Sequence, residues 1–134
     1  MKPIWIVAAK RTPQGRFLGG LTKRSAVELA ATAGKAALSG VDPARVDSVV
    51  VGNVLGAGLG MNVARQVGIG VGLGVGTPAF TVNMMGASGM QAVLLAAQAI
   101  RSGSGPAINS ATAPSWIPFC ATVSWMHSAA STWA

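Results

Sequence analysis

The sequence predicts an α/β fold in which strands and helices alternate, β-α-β-α-β-α, around a mostly parallel sheet. Three observations predict it. Three short apolar runs (4–8, 46–51 and Ala79–Val82), the latter two rich in β-branched residues, have the composition of buried strands. Each run is followed by a stretch of helix formers opened by a capping residue, Ser25, Asn62 or Ser88. A strand, a helix and a further strand in that order give parallel pairing with right-handed crossovers. At 134 residues the chain is one domain's worth, enough to bury a single core.

The first strand, IWIVA at 4–8, is a continuous apolar run and suits a strand covered on both faces. Arg11-Thr12-Pro13 ends it, and a Gly-rich loop follows over 14–20. Ser25 with Glu28 three residues on is a capping-box signature, opening a helix that runs to about Leu38 and stops at Gly40. Asp42-Pro43 turns the chain with Pro at a first helical position, and VDSVVV at 46–51 is the second strand. A glycine loop over 52–60 leads to Asn62, which opens a short helix at 63–69. Residues 70–76 alternate Gly with Val or Leu, as expected of a helix end unwinding into a loop. The third strand, Ala79–Val82, then feeds an elbow, Gly86-Ala87-Ser88-Gly89, from which the third helix runs over 89–100 with Ser88 as its N-cap. Met90, Val93, Leu94, Ala97 and Ile100 form one face of that helix, but Ala92, Leu95, Ala96 and Ala99 leave the others nearly as apolar. A helix apolar all round is buried on all sides or spans a membrane, so this one calls for a layer above it as well as below.

Composition narrows the function classes. Ten Lys and Arg against three acids give a formal charge of +7. A basic balance can mark a nucleic-acid partner, but aromatics do not interleave with the cations and no nucleic-acid motif is present, so no nucleic acid is expected. The single Cys, Cys120, excludes an internal disulfide and a thiolate metal cluster; with the lone His127 it is taken as incidental, and no metal is expected. The stretch 66–100 carries no formal charge, yet Gly, Pro78, Asn83, Gln91 and Gln98 interrupt it, which argues against a membrane span. With no signal peptide at the start, a cytoplasmic chain is expected.

None of the glycine runs is a nucleotide site. Gly56-Ala57-Gly58 would need Gly at 61 and has Met61; Gly72-Leu73-Gly74 would need it at 77 and has Thr77; no Gly-Lys-Ser/Thr follows either. Around Ser88 the G-x-S-x-G elbow fails because position 90 is Met. A strand feeding an elbow that opens a helix is nevertheless how enzymes hold a nucleophile at the positive end of a helix dipole. The frame of an active site is present without a reactive atom. Residues 102–134 then lack Lys, Arg, Asp and Glu but hold three of the four Trp, with no period of 2 or 3.6.

Taken together, IVAAKRTPQGRFLGGL (6–21), VDSVVVGNVLGAGLGMNVARQ (46–66) and PAFTVNMMGASGMQAVLLAAQAIRSG (78–103) resemble the N-terminal part of thiolases, the acetyl-CoA acetyltransferases and 3-ketoacyl-CoA thiolases. The resemblance implies half of a thiolase-like fold: two such α/β halves stack in five layers, with the third helix of each buried in the middle. It implies acyl transfer between coenzyme A thioesters as the family reaction, Claisen condensation or its thiolytic reverse, with acyl-CoA as substrate and no further cofactor. In that family the elbow reads N-x-x-C, then Gly or Ala, then S-G, and the Cys takes the acyl group as its thiolate. Asn83 matches the Asn and Ser88-Gly89 the S-G pair, with Ala87 before them; Gly86 stands where the Cys would be. The family's later catalytic motifs have no counterpart in these residues. The resemblance therefore implies a fragment inactive by itself, or a non-catalytic module that pairs with a full-length thiolase through the strand at 79–84.

Residues 1–103 are thus expected to be an incomplete thiolase N-terminal domain, and 104–134 an irregular tail unlike the family. The family's fourth strand lies beside its first, so the strand at 4–8 is expected to have an open edge and the third helix an uncovered face, favouring aggregation or a molten state unless the tail or a second chain covers them. The tail has the character of a segment not selected to fold, such as the product of a frameshift. In that case, shifting the frame of the coding DNA near codon 103 will reveal a further hydrophobic strand; two alternative frames without one would refute the idea.

Overall fold

The computed structural model describes residues 3–103 and the backbone of Trp116–Phe119. In chain order the elements are β1 (Trp5–Ala9), α1 (Ala26–Ala37), a 3-10 turn (Pro43–Arg45), β2 (Val49–Gly52), α2 (Val63–Gly70), β3 (Ala79–Val82), α3 (Ser88–Ser102) and β4 (Trp116–Phe119). The alternation and the parallel pairing expected from the sequence are both present. Among the described residues the strands form two parallel pairs, β2 with β3 and β1 with β4, rather than one continuous sheet.

α1 starts where its capping box dictates. The Glu28 N–H donates to Ser25 Oγ at 3.1 Å, and the Ser25 N–H donates back to the Glu28 carboxylate at 2.7 Å. Ala26, Ala30, Ala33, Gly34 and Ala37 are its buried positions, one stripe at helical spacing. Such small side chains let α1 lie close to α2, whose Val63 and Val67 join Ala30 in the core cluster, with Val27, Val51, Leu59 and Val71 packed against it. Asp42 caps the 3-10 turn by accepting from the Ala44 N–H, with Pro43 at its first position. That turn reaches Val46, so β2 begins three residues later than the sequence suggests. Burial pushes the carboxyl of Asp47, just ahead of β2, above its ordinary range.

Three expectations need correction. The tail is not irregular throughout: Trp116–Phe119 form β4, which lies parallel to β1 and covers the edge expected to be open. The register slips where the ladder meets a proline. Ile6 pairs with Ile117 and Ala8 with Pro118, so Val7 is bulged at the residue without an N–H to give. The rest of the tail, Cys120 and His127 included, lies outside the described residues. Second, β1 is not covered on both faces, since Trp5, Ile6 and Val7 are about half exposed or more. Third, α3 is not buried all round, but has the uncovered face expected where a further layer is missing. It rests on β2 and β3, but only Ser88 and Ala92 on it are buried, and Met90 (71%) and Leu94 (51%) face outward. The all-round apolar pattern could not say which face would pack; the strand beneath selects the smallest side chains.

Glu28 supplies a test of the α1 start. The Ser25 N–H, the Ser25 hydroxyl and then Arg24 hold its carboxyl below the ordinary 4.5. A depressed carboxylate contributes stability above its unfolded pKa and loses it as pH falls through the folded one. Glu28→Gln should therefore lower the thermal midpoint at neutral pH, and the gap to the parent should close as pH drops below about 4. A gap that is independent of pH would count against this account.

Candidate active-site elbow

β2 and β3 run parallel in register, Val49 opposite Ala79 through Gly52 opposite Val82, so both chains leave the pair at the same end. In α/β folds that carboxyl end is where ligands are handled. The loop after β2 and the elbow after β3 meet there. Asn83 ties them together: its Nδ2 donates to the Val54 carbonyl at 3.1 Å, and its Oδ1 accepts from the Met85 N–H at 3.1 Å.

The elbow is closed by Ser88. Its Oγ accepts from the Met84 N–H at 2.9 Å and donates to the Met85 carbonyl at 2.6 Å, while its own N–H also reaches the Met85 carbonyl at 3.1 Å. It is 4% exposed. This corrects its expected role: Ala87 is the N-cap residue of α3, with no side-chain cap bond, and Ser88 is the first helical residue, its hydroxyl turned back into the elbow. The Ala87 N–H donates to the Met84 carbonyl at 3.0 Å, and Met85 is held at φ 48°, a conformation few side-chain-bearing residues adopt.

The structure thus brings Asn83, Gly86, Ala87, Ser88 and Gly89 into one turn. Gly86 is exposed, and a Cβ built on it would meet nothing within 4 Å. No titratable side chain belongs to the elbow, and among the described residues no group of three His, Cys, Asp or Glu could hold a metal. What remains there is a set of backbone groups at a helix start, able to orient a polar atom and unable to attack.

A polar network behind the elbow was not anticipated beyond Asn62 as a helix start. Asn62 adopts φ 42°; its Oδ1 accepts from the Arg65 N–H at 3.2 Å and the Thr81 hydroxyl at 3.2 Å, and its Nδ2 donates to the Ala79 carbonyl at 2.9 Å. Arg65 donates to the carbonyls of Val75 and Thr77, and Gln66 to those of Leu59 and Met61. Together they pin α2 to β3 and to the loops on either side. The available signal was an Asn-x-x-Arg-Gln string of polar side chains inside an otherwise apolar stretch.

Comparison with known proteins agrees with this architecture. Residues 4–108 match the family model for the thiolase N-terminal domain. The chain is 47% identical over 110 residues to an acetyl-CoA acetyltransferase of Escherichia coli, covering 81% of this chain and 28% of that one. It is 52% identical over 100 residues to one from Chromobacterium violaceum, covering 73% and 26%. Among solved structures, the Acat5 thiolase of Ascaris suum in complex with coenzyme A superposes with a TM-score of 0.73 at 37% identity, over 75% of this chain and 27% of that one. The human mitochondrial 3-ketoacyl-CoA thiolase in complex with CoA gives 0.71 at 43%, over 75% and 26%. The fold is therefore that of the N-terminal part of a thiolase. The chain belongs to the thiolase family, and it spans little more than a quarter of the length of these relatives. No helix among the described residues is long and apolar enough to cross a membrane.

Asn62 predicts a measurable dependence of the fold on this network. Asn62→Ala removes a cap worth about 1 kcal/mol and two further hydrogen bonds worth about 1 kcal/mol each, and strands a methyl-bearing residue at positive φ. Denaturant unfolding should show a loss of roughly 2 kcal/mol or more, with Asn62→Gly milder because Gly accepts that φ. Equal losses for the two would show that backbone conformation is not part of the effect.

Proposed function

We propose that this chain is a thiolase-family acyltransferase fragment that does not catalyse acyl transfer by itself. The observation that carries this is Gly86. On the motif resemblance it stands where the family's acyl-accepting Cys would be, and Asn83 and Ser88, which match the motif's Asn and Ser, hydrogen-bond the turn around it. The family reaction passes an acyl group from a coenzyme A thioester to a thiolate and then to a second acyl-CoA or to free CoA. The first bond to form is between sulfur and the acyl carbon, and a glycine supplies no atom for it. The elbow's backbone N–H groups can still face a thioester oxygen, but stabilising an oxyanion requires a nucleophile to create one. Coenzyme A thioesters remain the ligand class that the relatives suggest, as the thiolases from Ascaris suum and human mitochondria are seen in complex with CoA.

A second reading has its own observation. β3 pairs with β2 on one side only, and among the described residues no strand lies along its other edge. An unpaired edge is a template for a further strand. On this reading the segment 79–84 recruits an intact thiolase, and the chain acts as a non-catalytic partner.

The purified chain, mixed with acetoacetyl-CoA and CoA, should leave the 3-oxoacyl thioester absorbance at its background rate. Turnover above background would refute the inactive reading. Co-elution with an intact thiolase in a pull-down would support the partner reading, and failure to co-elute would remove it.

A further inference from the structure

Two glycines flank the elbow for opposite physical reasons. At Gly52, the last residue of β2, an added Cβ would lie 2.4 Å from the C and O atoms of Ser88 and 2.5 Å from the Gly89 nitrogen. All three are backbone atoms at the start of α3, so no side chain could swing away to make room. At Gly86 an added Cβ meets nothing within 4 Å, and the residue is not in the left-handed region that favours glycine. Packing thus demands glycine at 52 and does not demand it at 86.

Ser88 adds a second constraint on the same turn. Its hydroxyl bonds both residues that precede Gly86, the Met84 N–H and the Met85 carbonyl, and so anchors them to the first residue of α3. Gly52 lets that residue's backbone sit directly on the end of β2. We propose that Gly52 and Ser88 are positioning residues that jointly fix where residue 86 stands, and that the elbow remains shaped to hold a reactive thiolate there. This rests on the reading of position 86 as the nucleophile position. Neither residue touches the reacting atoms; both act through the backbone of 84–89. A thiol at 86 would stand just ahead of a 15-residue helix, whose N-terminal partial positive charge stabilises the thiolate.

The test uses the whole chain with Cys120→Ser, so that Gly86→Cys introduces the sole thiol. Its pKa is read from the pH dependence of alkylation by iodoacetamide, in which the thiolate sulfur bonds to the methylene carbon and iodide leaves. The expected result is a pKa at least about one unit below the free value of about 8.5, and so about tenfold more thiolate at neutral pH. Adding Ser88→Ala should move the pKa back toward the free value, and Ser88→Thr, which keeps the hydroxyl, should restore much of the shift. Gly52→Ala should act like Ser88→Ala; where it loses the native circular dichroism spectrum, the Ser88 pair decides. An ordinary pKa in folded Gly86→Cys would overturn the proposal together with the reading of position 86. A lowered pKa that Ser88→Ala and Gly52→Ala both leave unchanged in folded protein would overturn the positioning role alone.

Discussion

The close approach of β2 to the start of α3 governs the geometry of this half-fold. Where Gly52 passes beneath Ser88 and Gly89 there is no room for even a methyl group. With that contact in place α3 lies flat across β2 and β3, and its first turn stands at the carboxyl end of the pair. The elbow of residues 83–87 then has little freedom: it must bridge the end of β3 and a helix start whose position is already set. Asn83 and Ser88 fill the elbow's hydrogen-bonding needs from its two ends. On the opposite side of the pair, α2 is held to β3 through Asn62 and Thr81, so that helix, strand and elbow form one braced unit.

Much of this unit was legible in the sequence because its signals are local. Ser25 and Glu28 lie within a single turn and close on each other as their spacing implies. Ala79–Val82 is bounded by Pro78 and Asn83 and forms a strand with those limits. Features that depend on distant partners were not legible. Nothing near Trp116 announces a strand, because its pairing with Trp5 depends on a partner at the other end of the described chain. The packing face of α3 was likewise hidden, since an all-apolar helix is oriented by what lies beneath it. Ser88 shows the same limit at closer range. Serine ahead of a helical run is a good cap by propensity, yet here its hydroxyl finds better partners in the turn behind it.

At the elbow, sequence and structure contribute different things. The motif around Gly86 identifies the position by its neighbours, and the coordinates add that a side chain would fit there. The supporting network of Asn62, Arg65, Gln66 and Thr81 reaches across the fold to carbonyls and loops that a linear pattern does not bring together. Such groups are long polar side chains serving backbone atoms, and their role is visible only once the loops are in place. Glycine is therefore a packing necessity at 52, whereas at 86 the fold leaves room for a side chain.

The two strand pairs also differ in when they can form. β2 and β3 are joined through α2 alone, so their pairing closes a modest loop, whereas Trp5 and Trp116 enclose nearly every other described element between them. Closure entropy and contact order both place the β1–β4 pair last. During synthesis β1 leaves the ribosome before any other described element, yet its partner follows only after Phe119 has been added. At roughly 5–20 residues per second, the exposed Trp5-Ile6-Val7 edge waits on the order of ten seconds for its partner. For that interval the nascent chain presents an unpaired apolar strand, which makes β1 the segment on which a chaperone, or a neighbouring nascent chain, would act first.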